Sequence, residues 1–220
     1  MKDIKFLTEK LIAHRGLHSK DIIENTIPSF IKATELGYIV ELDIHILRDN
    51  TIVIYHDYNL KRLTNVNNTI ENLTYPQLSK IKIKKLYHIP TLEKVMNIII
   101  GKVPILIEIK TIKLNEVFLK ILLEQLSKYQ GKVAIQSINP LVIKWLYKHK
   151  ITYPLGLIII NEINYKILKK YQKMIDFISV YKKHLPFKTK KIVIGWTIKT
   201  IKELNKYKQV SDNLIVENIL

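Results

Sequence analysis

Short apolar runs that each stop at a polar or charged residue recur along this chain, and from Gly101 onward they alternate with helix-like segments. The runs are Leu11–Ala13, Tyr38–Leu47, Thr51–His56, Val103–Ile109, Lys132–Ser137, Pro154–Ile160, Asp176–Val180, Lys191–Trp196 and Asn213–Val216. Runs this short, rich in Ile and Val, read as strands buried on both faces. Between them lie segments of helical spacing: Ile27–Leu36, a helix opened by Pro90-Thr91, Asn115–Tyr129, a helix from Asn139-Pro140 to about Lys148, Ile163–Tyr171 and Thr200–Tyr207. Asn, Thr or Pro at their starts, and Gly37 and Gly131 after two of their ends, are helix-capping signals.

Nine strand-like runs are one too many for a closed barrel of βα units. A two-residue turn at Asp49-Asn50 resolves the count, because Thr51–His56 then returns as a hairpin arm on Tyr38–Leu47. Eight parallel strands remain. The expected fold is therefore α/β, a (β/α)8 TIM barrel with a hairpin extension of the second strand, forming one domain over residues 1–220. An open doubly wound sheet fits less well, since no glycine-rich phosphate loop follows the first strand.

The same turn predicts a register. Arg48 pairs with Thr51, which sets Asp43 opposite His56. Residues two apart share a strand face, so Glu41, Asp43 and His45 point the same way. Other chemistry-bearing residues also fall at strand ends: His14-Arg15, Glu108 with Lys110, and Trp196. Barrel enzymes build their sites on that rim.

Three carboxylates, Glu41, Asp43 and Glu108, repel one another unless a cation sits between them. Ordinary solvated acids are the plain alternative, but these three stand in Ile- and Val-rich strands of a chain short of acids. An all-oxygen set suits Ca²⁺ or Mg²⁺. His14 and His56 have the titration range for an acid/base pair. Arg15 offers a donor fork for phosphate, and Lys110 shares the face of Glu108. This combination describes a metal-assisted phosphoryl-ester site. His18, His88, His149 and His184 read as solvated, while Trp145 and the tyrosines read as packing residues.

Charge limits the partners. The chain carries 36 Lys+Arg against 19 Asp+Glu, a net +17. Only Arg15, Arg48 and Arg62 are arginines, and the lysines are spread along the chain, so no nucleic-acid partner is expected. The basic surface suits peripheral association with an anionic membrane, and a lysine- and isoleucine-rich composition produces it equally well. Cysteine is absent, which rules out disulfides and thiolate metal sites. No apolar run reaches membrane-spanning length and the first is too short for a signal peptide, so a cytoplasmic location is expected.

Taken together, His14-Arg15-Gly16, Glu24-Asn25-Thr26, Glu41-Leu42-Asp43, His56-Asp57, Glu108-Ile109-Lys110 and Trp196-Thr197 resemble, in order and spacing, the glycerophosphodiester phosphodiesterase family. Thr64 and Ile89-Pro90-Thr91-Leu92 add to the likeness, which runs from Ile12 to about Val216. The resemblance implies a (β/α)8 barrel that hydrolyses a glycerophosphodiester to glycerol 3-phosphate and an alcohol. It implies that Glu41, Asp43 and Glu108 hold the metal, that His14 is the base and that His56 is the acid for the leaving alcohol. Arg15 then touches phosphate, Trp196 walls the glycerol pocket and Lys110 lies beside the metal. Glu24, Asn25 and His45 support these residues, with Asn25 orienting the loop around His14. Water, or the substrate's own glycerol hydroxyl through a cyclic phosphate, is the nucleophile. The chain departs from the family pattern at Ile23, at His45 and at Val216-Glu217-Asn218. A lysophospholipase D acting at an anionic membrane surface, and a non-catalytic binding barrel, are the competing readings.

Overall fold

The structure, a computed structural model, describes residues 2–219, and for residues 162–165 the backbone alone. Positions 1 and 220 of the expected domain lie outside the described residues. Eleven strands form in chain order: β1 (Ile12–Ala13), β2 (Ile39–Ile46), β3 (Ile52–Ile54), β4 (Lys82–Ile83), β5 (Tyr87–His88), β6 (Ile105–Ile109), β7 (Val133–Ser137), β8 (Leu155–Ile159), β9 (Phe177–Tyr181), β10 (Ile192–Ile198) and β11 (Asn213–Val216). The helices are α1 (Ile27–Glu35), α2 (Lys61–Thr64), α3 (Tyr75–Leu78), α4 (Leu92–Ile99), α5 (Glu116–Ser127), α6 (Pro140–Lys148), α7 (Glu162–Tyr171) and α8 (Ile201–Tyr207).

Eight strands pair in parallel in the order β1-β11-β10-β9-β8-β7-β6-β2, and β1 also pairs with β2, which closes the barrel. This is the (β/α)8 fold. β3 lies outside the ring, antiparallel to β2. The β9–β10 connection carries a short 3-10 turn in place of a helix, and β11 joins β1 directly.

Local chemistry sets the helix starts. Thr26 and Ser29 form a reciprocal capping box on α1, with Pro28 in the first turn. Thr91, Asn115, Asn139 and Thr200 cap α4, α5, α6 and α8 with side-chain acceptors. Alternation then divides each barrel strand. One set of side chains, including Val40, Leu42, Ile105, Ile107 and Ile135, packs outward under the helices. The other set fills the barrel. Its lower layer is Ile12, Ile39, Leu106, Ala134, Phe177, Ile194 and Ile215, with Phe6 and Leu7 closing that end. Polar residues of the same parity, Glu41, Asp43, Glu108, Gln136 and Ser179, stand above that layer.

The hairpin register differs from the expected one. Ile44 pairs with Ile54, His45 with Val53 and Ile46 with Ile52, while the Tyr55 amide donates to the Asp43 carbonyl. Asp43 therefore faces Tyr55, not His56, and Arg48 does not pair with Thr51. The cause is a three-residue loop, Arg48-Asp49-Asn50, closed by Leu47 on Thr51, with Asn50 left-handed at φ 66. His56 thus leaves the ladder and enters the site from the following loop. Residues 47–89 also build a small side cluster around Val53, Tyr55, Leu60, Leu63 and Ile70.

Candidate active site

The first strand is only two residues long, so His14-Arg15-Gly16 turns immediately over the barrel mouth. The His14 amide donates to the Val216 carbonyl, and the Gly16 amide to the Glu41 carbonyl. Arg15 and Gly16 have φ of 55 and 75. A Cβ on Gly16 would lie 2.5 Å from Ser29 Oγ and 2.8 Å from the Ser29 carbonyl carbon. Glycine is required there both for the left-handed backbone and for the approach to α1.

The acid cluster forms because β2 and β6 lie in register, Asp43 beside Glu108. One oxygen from each of Glu41, Asp43 and Glu108 lies within 4.8 Å of the others. Lys110 Nζ stands 2.9 Å from Glu108 and 3.6 Å from Asp43. Arg15 Nε is 3.4 Å from Asp43, and its backbone N–H donates to Glu41 at 2.8 Å. Asn25 Nδ2 donates to Asp43 at 2.9 Å, so Asn25 orients a carboxylate and not simply the His14 loop.

Electrostatics split the three acids. Burial, then the charges of Asp43 and Glu108, push Glu41 well above the ordinary carboxylate range. Burial and Asp43 likewise raise Glu108. Burial also opposes ionisation of Asp43, but Lys110 and Arg15 outweigh it and hold Asp43 at about 2. Two side-chain cations do not neutralise the cluster. Three crowded carboxylates against two side-chain cations make an all-oxygen set that fits a hard divalent cation.

Each histidine has a carboxylate on Nδ1. His14 Nδ1 lies 2.8 Å from Glu217 Oε2, and His56 Nδ1 lies 2.6 Å from Asp57 Oδ1. Burial is the main cause that lowers both imidazoles below their ordinary value. Glu217 is itself opposed by burial, yet bonds from His14 and Lys199 hold it well below the usual range. His45 is fully buried, 3.3 Å from Glu71 and 3.4 Å from the His56 carbonyl, and it packs edge-on against Tyr58. It touches the His56 backbone, not the acid cluster.

These groups open onto one cavity of about 280 Å³. His14, Arg15, Glu41, His56, Glu108 and Lys110 form its polar side, and Ile138, Ile158, Ile160 and Trp196 face them. The Trp196 indole nitrogen is buried without a protein partner. A larger groove of about 490 Å³ between α7 and residues 188–191 is lined mainly by lysines, with no acid or histidine among its described lining residues.

The sequence reading missed three supporting side chains: Glu217, Asp57 and Arg62. Asp57 adjoins His56 and Glu217 follows the last strand, so both had a positional signal. Arg62 had none, and it joins Asp57 to Glu24. Glu24 in turn bonds Arg15 at 2.7 Å. His18 is half-buried beside His14, with Nε2 unpartnered, and His184 bonds the Ile160 carbonyl, so neither is a simply solvated histidine.

The chain matches the Glycerophosphoryl diester phosphodiesterase family over residues 14–208. It is 36% identical to human lysophospholipase D GDPD1 over 142 residues, 58% of this chain and 44% of that protein. It is 35% identical to the putative glycerophosphodiester phosphodiesterase YhdW of Bacillus subtilis over 108 residues, 46% of this chain and 44% of that one. The matched stretch thus spans less than half the length of these curated relatives. The fold superposes on an Oleispira antarctica phosphodiesterase in complex with the product sn-glycerol-3-phosphate, at TM-score 0.83 and 21% identity, covering 96% of this chain and 94% of that one. No helix among the described residues is long and apolar enough to cross a membrane. With a match running from His14 of the cavity through the end of α8, the chain belongs to the glycerophosphoryl diester phosphodiesterase family.

Proposed function

We propose that this chain, acting as one barrel domain over its 220 residues, is a metal-dependent phosphodiesterase that cleaves glycerophosphodiesters to sn-glycerol 3-phosphate and an alcohol. One observation carries the reading: His14 and His56 line a single cavity with Glu41 and Glu108 of the acid cluster, each histidine oriented by a carboxylate on Nδ1. That arrangement leaves Nε2 of each ring for proton transfer. His14, kept neutral by burial, takes the proton of the attacking hydroxyl, whether water or the substrate's glycerol hydroxyl. His56, in its protonated form, gives a proton to the oxygen of the leaving alcohol. One P–O bond forms as the other breaks: His14 gains the nucleophile's proton and His56 gives its own to the leaving oxygen. Water attack gives glycerol 3-phosphate directly; attack by the glycerol hydroxyl gives a cyclic phosphate, which a water then opens with the two imidazoles in exchanged roles.

Arg15 and Lys110 bring positive charge to the phosphate oxygens, and Trp196 walls the glycerol side. Glu41, Asp43 and Glu108 would hold Ca²⁺ or Mg²⁺, which when bound supplies charge neutralisation at the phosphate. The test is release of glycerol 3-phosphate from glycerophosphocholine, with and without EDTA, by wild type and His14→Ala. We expect the variant to lose about 10²–10⁴-fold in rate. Activity that survives both treatments defeats the reading.

The apolar wall of Ile138, Ile158 and Ile160 favours a second reading, in which the substrate carries one acyl chain as a lysophospholipid. The human relative bears that activity in its name. Choline release from lysophosphatidylcholine exceeding that from glycerophosphocholine supports it. Failure to bind anionic vesicles at low salt sinks the membrane-surface part of it.

A further inference from the structure

Arg62 lies on α2, outside the cavity, with its side chain 43% exposed. Nevertheless it ties together two loops that supply the site. Its Nε donates to Asp57 Oδ2, while Asp57 Oδ1 holds His56 Nδ1. Its two terminal nitrogens grip both oxygens of Glu24, at 2.9 Å and 2.7 Å. Glu24 Oε1 also accepts from Arg15, whose Nε faces Asp43. A run of charge-assisted bonds therefore leads from His56 through Asp57, Arg62 and Glu24 to Arg15, whose side chain forms an ion pair with Asp43 of the acid cluster. Only a planar fork bonds two carboxylates of different loops in this way; a lysine ammonium is a point charge on a flexible stem.

We propose that Arg62 is a positioning residue that locks the His56 loop onto the Arg15 loop, so that His56 presents Nε2 to the leaving-group oxygen. Asp57 alone is one residue from His56 on a loop that has left the β-ladder, and nothing else among the described side-chain contacts of Asp57 fixes its second oxygen. Burial opposes ionisation of Asp57, and the bonds from Arg62 and His56 outweigh it, so the carboxylate stays charged against the imidazole. Removing the fork frees Asp57 to rotate and releases Glu24 from one of its two arginines.

The kinetic arm of the test rests on the proposed function, and a spectroscopic arm does not. In the kinetic arm, Arg62→Ala and Arg62→Lys are compared with wild type on two esters of glycerol phosphate. Choline is a poor leaving alcohol that needs the acid, while p-nitrophenol leaves without one. We expect Arg62→Ala to lose about 10–100-fold in kcat on the choline ester and only about threefold or less on the nitrophenyl ester. Arg62→Lys keeps the charge but loses the fork, and falls between. Loss of overall structure would depress both esters alike, and that outcome overturns the proposal, as does an unchanged rate.

In the spectroscopic arm, ¹⁵N shifts of the His56 ring are read in histidine-labelled protein. Wild type is expected to show neutral His56 protonated at Nδ1, and Arg62→Ala to show that tautomer depleted. An identical tautomer in both proteins overturns the proposal even if wild type cleaves neither ester, an outcome that would defeat the functional reading instead.

Discussion

Glu217, the residue after the last barrel strand, accepts a hydrogen bond from Nδ1 of His14, the residue after the first, at 2.8 Å across 203 positions of sequence. The two meet because β11 and β1 are neighbours in the ring. A carboxylate on one imidazole nitrogen fixes the tautomer and leaves the other nitrogen free as a base.

Replacing Glu217 by glutamine keeps the shape and removes the charge. Burial lowers the His14 pKa, Arg15 lowers it further, and Glu217 and Asp43 raise it. Without the Glu217 charge His14 moves lower still. The acidic limb of kcat/KM, which reports deprotonation of the base, should therefore shift to lower pH in Glu217→Gln. The rate plateau should fall about 10–100-fold. A pH–rate profile with an unmoved acidic limb contradicts this assignment.

Removal of the proposed metal ligands has a readout that does not need substrate. Ca²⁺ or Mg²⁺ should raise the thermal midpoint of wild type, and EDTA should reverse the rise. A ligand at a hundred times its Kd stabilises by about 2.7 kcal/mol. The double variant Asp43→Asn/Glu108→Gln should show no response to either ion in the same thermal scan.

Glu24 carries a pH-dependent share of stability. Burial opposes its ionisation, but the bonds from Arg62 and Arg15 outweigh burial and hold it at about 2. The unfolded chain has the ordinary value of about 4.3. A depressed acid stabilises fully above the unfolded value, and loses that contribution as pH falls through the folded one. With Arg62 partly exposed, Glu24→Gln should cost roughly 2 kcal/mol near neutral pH. In urea titrations the gap between the two proteins should narrow steadily below about pH 5. A gap that is constant with pH would assign the loss to packing.

Gly16→Ala tests the turn itself. The new methyl group would meet Ser29 in a backbone conformation with φ of 75. We expect about 1–3 kcal/mol of destabilisation, measured by urea midpoint, because the capping box of α1 must shift. His14 and Arg15 move with the turn, so activity should fall together with stability.

The barrel was legible because each strand ends where an Ile- or Val-rich run meets a polar residue, as at Ala13-His14 and Ile107-Glu108. The acid cluster was legible for the same reason, since parity along β2 and β6 is fixed by alternation. The hairpin register was not. Asp49-Asn50 suits a two-residue turn and a three-residue loop equally, and the choice moved His56 off the ladder. The pairing of Glu217 with His14, and the reach of Arg62 to Glu24, depend on barrel closure and loop packing. No local pattern encodes either.

That closure also sets a timetable. The acid cluster draws on β2 and β6, so its three members have all been synthesised once residue 108 has emerged. His14 waits for Glu217, and the hydrogen bond forms only after residue 217 has emerged and β11 slots in beside β1. On the ribosome, a growing chain would therefore be able to gather its acids long before His14 is oriented. Orientation of His14 would arrive late and in a single event, once β11 has been made.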